Sequence, residues 1–250
     1  MQKLLINVNL FVYKGENIDM KKWFVMSNFI LAAIVVALDF CYALVRDLWL
    51  KGVTSAGFVV LGVVNLIYFL LATKEDKKFS VIMLVALVLC LVADVILEIE
   101  FITGALLFAM GHVAYFLAYS SLIKFKWTDL IASAVIFVPV TLFMTLAPIF
   151  NFGSIVMELV CVFYALIISC MVGKAISNTI RECSITNLII LVGSILFMFS
   201  DIMLLFGVFG DAPRVCDVLC IGTYYPAQIF LAATILVQAL CQDCKCKDNK

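Results

Sequence analysis

Eight apolar runs, each close to the length of a membrane span, follow one another along this chain with only brief polar interruptions. An α-helix needs about 20 consecutive apolar residues to cross the hydrocarbon core of a bilayer. The runs lie near residues 23–45, 53–72, 79–99, 101–123, 128–148, 153–173, 185–207 and 216–240. They are continuous and not alternating, which excludes a transmembrane β-barrel. Composition agrees, since 66% of residues are apolar and 14% charged, whereas a soluble domain has about a quarter charged. The expected fold class is an all-α integral membrane protein with eight transmembrane helices. Residues 1–22 read as an N-terminal arm, 23–240 as the transmembrane domain and 241–250 as a Cys- and Lys-rich tail. The arm carries Lys3, Lys14, Lys21 and Lys22, and the first apolar run of span length begins only at Trp23, so a cleaved signal peptide is not expected.

Net charge is zero, but its placement is one-sided. With eight spans both termini share a side, and 14 of the 17 Lys and Arg residues fall there: four in the arm, Lys74, Lys77, Lys78, Lys124, Lys126, Lys174, Arg181, and Lys245, Lys247 and Lys250 in the tail. The opposite side has only Arg46, Lys51 and Arg214. The positive-inside rule therefore assigns both termini to the cytoplasm. The expected membrane is the endoplasmic reticulum in a eukaryote and the plasma membrane in a bacterium. The lipid bilayer is an expected partner; nucleic acid is not. Of the ten cysteines, Cys41, Cys90, Cys161 and Cys170 lie within spans, where free Cys acts as a small apolar residue. Cys241, Cys244 and Cys246 follow the last span among lysines, and S-palmitoylation and exposed reduced thiols are both open readings. No zinc site is expected there without a histidine.

Within these apolar runs stand Asp39, Asp94, Glu98, Glu158 and Asp201. A carboxylate in a spanning helix costs a few kcal/mol or more and usually faces the bundle interior. Residues 84–97 (LVALVLCLVADVIL) and 191–204 (LVGSILFMFSDIML) share five of fourteen positions without gaps, and Asp94 falls on Asp201. Both segments are odd-numbered spans, as in a 4+4 parallel repeat about an axis along the membrane normal. Both Asp residues then sit at similar depth, in the half of the bilayer away from the cytoplasm.

Asp94 and Glu98 are four apart and share a helix face. In the fourth span Gly104, Phe108, Gly111, His112 and Tyr115 form one stripe, and the two glycines allow close helix approach. His112 is the sole histidine. Ser194, Phe197 and Asp201 share a face of the seventh span; Tyr224 and Gln228 share one of the eighth, with Pro226 between them expected to loosen the helix. Glu158 and Tyr164 are candidates in the sixth. Plainer readings stand beside these. Glu98 also reads as an interfacial hairpin residue. Asp39 reads as structural, pairing with Arg46 or reaching the outer interface. Glu158, near the start of its span, is open. One of Tyr224 and Tyr225 is expected to point inward.

A strained nucleophile elbow, a three-histidine zinc site, a P-loop and a dinucleotide fingerprint are all missing from the sequence. Two carboxylates facing each other in a poorly hydrated cavity suit acid-catalysed cleavage of an acetal-like or enol-ether bond, one protonated and the other ionised. Proton-coupled transport or lipid binding is the alternative use of intramembrane acids.

The stretch Leu91–Tyr119, LVADVILEIEFITGALLFAMGHVAYFLAY, resembles the YhhN-type lysoplasmalogenase-like membrane family in Asp94, Leu97, Gly104, Phe108, Gly111, His112 and Tyr115. Ser200, Asp201 and Leu204, then Thr223, Tyr224 and Gln228, extend the likeness, as does Lys51 before the second span. Ala93 stands where the family has Gly, Gly52 follows Lys51 where it has Pro, and Pro226 interrupts the Tyr–Gln helix. The resemblance implies hydrolysis of the vinyl-ether bond of lysoplasmalogens to a fatty aldehyde and a glycerophospho-headgroup. The expected substrate is thus a lysophospholipid, and no metal or cofactor is required. Asp94 and Asp201 are the expected acid and carboxylate, in either order, with His112 orienting water or shuttling a proton. Tyr115, Tyr224 and Gln228 are expected at the headgroup or the sn-1 oxygen, Glu98 and Tyr164 at the substrate, and Phe108 and Phe197 along the chain channel.

Overall fold

The computed structural model describes the backbone of residues 2–73, 76–210 and 214–248, with side chains within 20–242. Eight helices follow in order: α1 (Gln2–Val45), α2 (Leu48–Ala72), α3 (Lys78–Ile99), α4 (Phe101–Leu122), α5 (Trp127–Leu146), α6 (Ile155–Arg181), α7 (Ile185–Phe209) and α8 (Arg214–Asp248). Each contains a segment long and apolar enough to cross a membrane. Among the described residues there is no strand, only an isolated bridge between Phe150 and Gly210. The arm is not separate from the first span, because α1 is helical from Gln2 and its crossing segment begins at Met20. The side chains of Cys244 and Cys246 lie outside the described residues.

Polar residues set the helix ends. The carboxylate of Asp47 accepts the amide of Leu50 at the start of α2, Ser154 accepts that of Met157 for α6, and Ser184 that of Asn187 for α7. The α3–α4 hairpin is tight, since Glu100 alone separates the helices. Its carboxylate accepts the amides of Ile102 and Thr103 and so caps α4. Bonds from the Thr103 side chain and backbone, aided by the Ile102 amide, hold the Glu100 carboxyl below the usual glutamate value. A one-residue turn forces the two helices into contact, and Gly104 makes this possible: a Cβ there would collide with the backbone of Leu97.

The strongest packing is within the hairpins α3–α4 and α7–α8. α2 lies against α3 and α8, while α6 lies against α7 and α4. Adding four to each helix number maps one set onto the other. The correspondence does not amount to a repeat: α8 packs its backbone closely against α1 and α3, whereas among the described residues α4 meets α7 only through side chains, such as Tyr119 with Ser194, and makes no such approach to α5. Outward faces are apolar, as at Phe29, Phe40 and Leu44 on α1 and Ile131, Val135 and Leu146 on α5.

Helix α6 runs to Arg181, two turns past the span expected to end near 173. Lys174, placed by sequence in a cytoplasmic connection, is instead fully buried. Its ammonium donates to Asp129 Oδ2 at 2.8 Å, to the carbonyl of Ile123 at 2.8 Å and to that of Lys124 at 3.4 Å. Ser177 and Arg181 donate to Asp129 Oδ1. One lysine therefore neutralises the carboxylate at the start of α5 and satisfies carbonyls at the end of α4, where a cation is favoured. Sequence alone did not single out Asp129, because it stands at a span edge where acids are ordinary.

Replacing Gly104 with Val should force α3 and α4 apart. We expect a loss of about 1–3 kcal/mol, read as a lowered midpoint in thermal unfolding of the detergent-solubilised protein; an unchanged midpoint counts against the close approach.

Candidate active site

Asp94 lies sixteen residues beyond the start of α3, and Asp201 sixteen beyond the start of α7. The two helices run in the same sense, so both carboxylates reach a similar level, near the end carrying the α1–α2, α3–α4, α5–α6 and α7–α8 connections. A carboxylate there cannot rely on water and must find donors on neighbouring helices.

Asp94, only 2% exposed, finds two. The hydroxyls of Ser55 on α2 and Tyr224 on α8 both donate to its Oδ2, at 2.6 and 2.7 Å. Since the Ser55 proton is spent on Asp94, the Tyr225 hydroxyl 3.3 Å away is the donor to Ser55. Gln228 Nε2 donates to the Tyr224 oxygen at 3.2 Å, and Tyr115 donates to Gln228 Oε1 at 2.7 Å. Tyr115 and Gln228 are fully buried and line neither of the cavities below. They stand behind Tyr224 and fix its hydroxyl, at one remove from the volume a headgroup could enter. Tyr224 and Tyr225 both point inward, where one was expected, because each has an acceptor in this network.

Asp201 has a different pair. Tyr164 on α6 donates to its Oδ2 at 2.8 Å, and His112 Nε2 on α4 lies 3.3 Å from the same oxygen. His112 Nε2 is also 2.8 Å from the Tyr164 oxygen. The single hydroxyl proton of Tyr164 goes to Asp201, so its oxygen must accept from the imidazole. Neutral His112 therefore carries its proton on Nε2. Its Nδ1 is buried without a partner, a bare lone pair in the bundle interior.

The partners of Asp94 come from α2 and α8, and those of Asp201 from α6 and α4. These are corresponding helices in the packing pattern, although the side chains differ. Edge-on aromatic contacts join the two networks: the Phe197 ring is 4.6 Å from His112 and 5.2 Å from Tyr224, and Phe108 is 5.9 Å from Tyr224.

Asp94 and Asp201 both line a cavity of about 110 Å³ that Arg46, Lys51, Glu98 and Asp217 line as well. A second pocket, of about 80 Å³ and almost wholly apolar, lies among α3, α4, α5, α6 and α7. The two share Leu97, Phe108, Asp201 and Leu204, so Asp201 stands at their junction. Phe108 lines both, whereas Phe197 lines neither and serves as packing. Tyr164 faces the apolar pocket.

Glu98 pairs with Lys51 at 2.7 Å and accepts from Tyr42 at 3.3 Å, so it is more than a hairpin residue. Lys51, Ser55, Tyr42 and Tyr225 complete the site without having been proposed for it. The signal for two of them was present, since Lys51 and Ser55 are four apart on one face of α2. Asp39 does not pair with Arg46: it is buried, and its Oδ1 has no partner. Arg46 instead lies over the Tyr42 ring, 5.9 Å from its centroid. Glu158 faces a separate polar pocket formed with the α5–α6 connection, away from both aspartates. Ser194 bonds to Tyr119 at 3.0 Å, and Thr223 to the carbonyl of Leu219 at 2.7 Å, so neither reaches the site. Pro226 leaves α8 continuous, and Tyr224 and Gln228 keep their four-residue contact across it. Among the described residues, no group of three or more His, Cys, Asp or Glu is placed to hold a metal ion.

Fold and site together define a multi-pass helical membrane protein with two interior carboxylates at one end of the bundle. A family model described as the YhhN family matches residues 54–235, more than half of the chain, and the protein belongs to that family. No curated protein and no solved structure matched the chain.

Because His112 is the sole histidine, a ¹⁵N-histidine label reports on it alone. The neutral ring should show its proton on Nε2 and a bare Nδ1. In Tyr164→Phe the Nε2 resonance should shift as its hydroxyl acceptor is lost. A proton found on Nδ1 contradicts the network described.

Proposed function

We propose that this protein is a membrane hydrolase that cleaves the vinyl-ether bond of lysoplasmalogens. The observation that carries the reading is the meeting, at Asp201, of a cavity that charged side chains line and a pocket that is almost wholly apolar, with Asp94 lining the first. A lysoplasmalogen has one hydrocarbon chain and one charged headgroup, and its vinyl ether lies at the boundary between them. Seated with its chain in the apolar pocket and its headgroup in the cavity with the charged lining, it presents that bond to the aspartates. Family membership supports the same assignment.

The chemistry needs one carboxyl protonated and the other ionised. The acid transfers its proton to the second carbon of the alkenyl chain, and the electron pair of the double bond forms the new C–H bond. The positive charge that results is shared between the first carbon and the ether oxygen. The second carboxylate stabilises this oxocarbenium ion and removes a proton from the water that adds to the first carbon. The hemiacetal then breaks its C–O bond to the glycerol: the glycerol oxygen takes the proton now held by the second carboxyl, the hemiacetal hydroxyl gives its proton to the first, and a fatty aldehyde and the glycerophospho-headgroup leave with both carboxyls restored. His112 lines neither cavity and acts through its Nε2, 3.3 Å from Asp201 Oδ2, orienting that carboxyl or moving its proton. Tyr224 and Ser55 keep Asp94 oriented, and Tyr115 and Gln228 hold Tyr224. Phe108, at the junction, sorts chain from headgroup.

Transport is the competing use of buried acids, and its usual hardware is a discontinuous helix at the midplane. The helices bearing the two networks are continuous through their sites, which supports hydrolysis instead. The excess of Lys and Arg on the side of both termini supports a cytoplasmic placement of the ends. The cavity then lies in the leaflet away from the cytoplasm.

Purified protein in detergent, with no gradient, should release aldehyde from lysoplasmalogen. Asp94→Asn and Asp201→Asn should each lower kcat by roughly 100-fold or more. If both variants retain aldehyde release, the paired-carboxyl mechanism is wrong.

A further inference from the structure

The apolar pocket is closed by packing on most of its sides. Phenylalanine rings roof it toward the α5–α6 connection: Phe101 stands 5.5 Å from Phe209, and Phe206 stands 6.2 Å from Phe143 and 5.1 Å from Phe150. The backbone amide of Asn151 donates to the carbonyl of Phe209 at 2.8 Å, so that connection is tied to the end of α7. Helix α6 packs against both α4 and α7. One flank lacks such packing. Helices α4 and α5 both line the pocket, through Ala105 and Phe108 on the one and Val140 and Met144 on the other. Among the described residues, however, their backbones make no close approach. Helix α5 lies on α6 as α1 lies on α2, but α1 also closes onto α8, whereas α5 packs its backbone only against α6.

The two helices part from a clamped end. Near the start of α5, Asp129 holds Lys174 and Arg181 of α6, and Lys174 also holds the carbonyls of Ile123 and Lys124 at the end of α4. One turn on, Ser133 lies so close to Gly173 of α6 that a Cβ on the glycine would collide with the Ser133 backbone. Past this clamp stands Pro139, within the helix. It has no N–H to donate, and its ring crowds the carbonyl one turn back, so the backbone ladder is interrupted there. The residues of α5 that line the pocket, Val140 and Met144, come after both the clamp and the proline.

Size adds a second argument. Sites that enclose a whole drug-sized ligand hold about 300–1,000 Å³. This pocket holds about 80 Å³. A long hydrocarbon chain exceeds it, and with the roof closed the way on leads into the lipid. The outward faces of the two helices, at Leu106 and Met110 on α4 and Leu142 on α5, are exposed and apolar.

We propose that the α4–α5 flank is a lateral portal for the hydrocarbon chain of a single-chain lipid, with the first carbons held in the pocket and the rest left in the bilayer. The proposal rests on the lysoplasmalogen reading and adds a rule of chain selectivity to it. Carbons next to the vinyl ether are sized by Ala105, Val140 and Met144. Carbons beyond the portal are not read, and the aldehyde leaves by the same flank into the membrane.

The test uses the full chain in lipid nanodiscs. The probes are saturated 1-O-alkyl lysophospholipids, which have no vinyl ether to cleave, with a photoactivatable diazirine at mid-chain or at the chain end. The mid-chain probe should label α4 and α5 around Ala105 and Val140, and unlabelled lipid should compete. The chain-end probe should label bilayer lipid and the exposed faces of the same helices. Chain-end labels at Ile168 or Met198 mean a chain folded inside the bundle and overturn the portal, as does a mid-chain probe that leaves α5 unlabelled. Val140→Trp narrows the flank and should weaken a long-chain lipid by about tenfold relative to a butyl one. Equal affinities in the variant and the wild type contradict the portal. The labels are read on the wild type and stand whether or not Val140→Trp folds. Vinyl-ether cleavage is assayed in parallel. Cleavage with chain-end labels inside the bundle removes the portal alone. The expected labels without cleavage support the portal and remove only the proposed reaction.

Discussion

A carboxylate taken into a bilayer must be satisfied by donors from helices other than its own, because the backbone donors of a spanning helix are already committed to its own ladder. This requirement organises the centre of the molecule. Asp94 binds α3 to α2 and α8 through Ser55 and Tyr224, and Asp201 binds α7 to α6 and α4 through Tyr164 and His112. A third carboxylate, Asp129, does the same at the opposite end, joining α5 to α6 through Lys174, which in turn reaches the end of α4. Apolar packing shapes the rest of the core, but in lipid it has little preference for one helix partner over another. The polar bonds supply that preference.

The same bonds make the site. Donors on the Oδ2 oxygens hold both carboxyls facing one cavity, and the edge-on rings of Phe108 and Phe197 pack between the two networks and join them. The α3–α4 hairpin, closed by Glu100 and tightened at Gly104, carries Asp94, Phe108 and His112 on two adjoining helices. A one-residue turn leaves little freedom for those groups to drift relative to one another. The two carboxyls are thus closely held, and charged side chains line the cavity that they share.

Much of this was legible in the sequence for a simple reason. A hydrophobic run of span length has one structural solution in lipid, so eight helices and their approximate ends followed directly. A charged residue in such a run is costly enough to be conspicuous, and Asp94, Asp201 and His112 stood out on that ground. Ser55, Tyr42 and Tyr225 did not, because a hydroxyl in a spanning helix is cheap: it can satisfy itself on its own backbone, as Thr54 does on Leu50. Lys174 and Asp129 were hidden for the opposite reason. Charges at span edges are common, and only the extra turns of α6 reveal that this pair is buried.

The sequence by itself determined the class of fold, the pairing of consecutive helices and the level at which two acids sit, since length, hydropathy and turn length dictate each of these locally. Tertiary structure alone decided which hydroxyls meet which carboxylate, that Asp39 has no arginine, that Tyr115 and Gln228 stand behind Tyr224, and that Arg46 lies over the Tyr42 ring. Those outcomes depend on how helices distant in the chain are rotated against each other. A periodic pattern records which face of a helix is polar; it does not record which other face it meets.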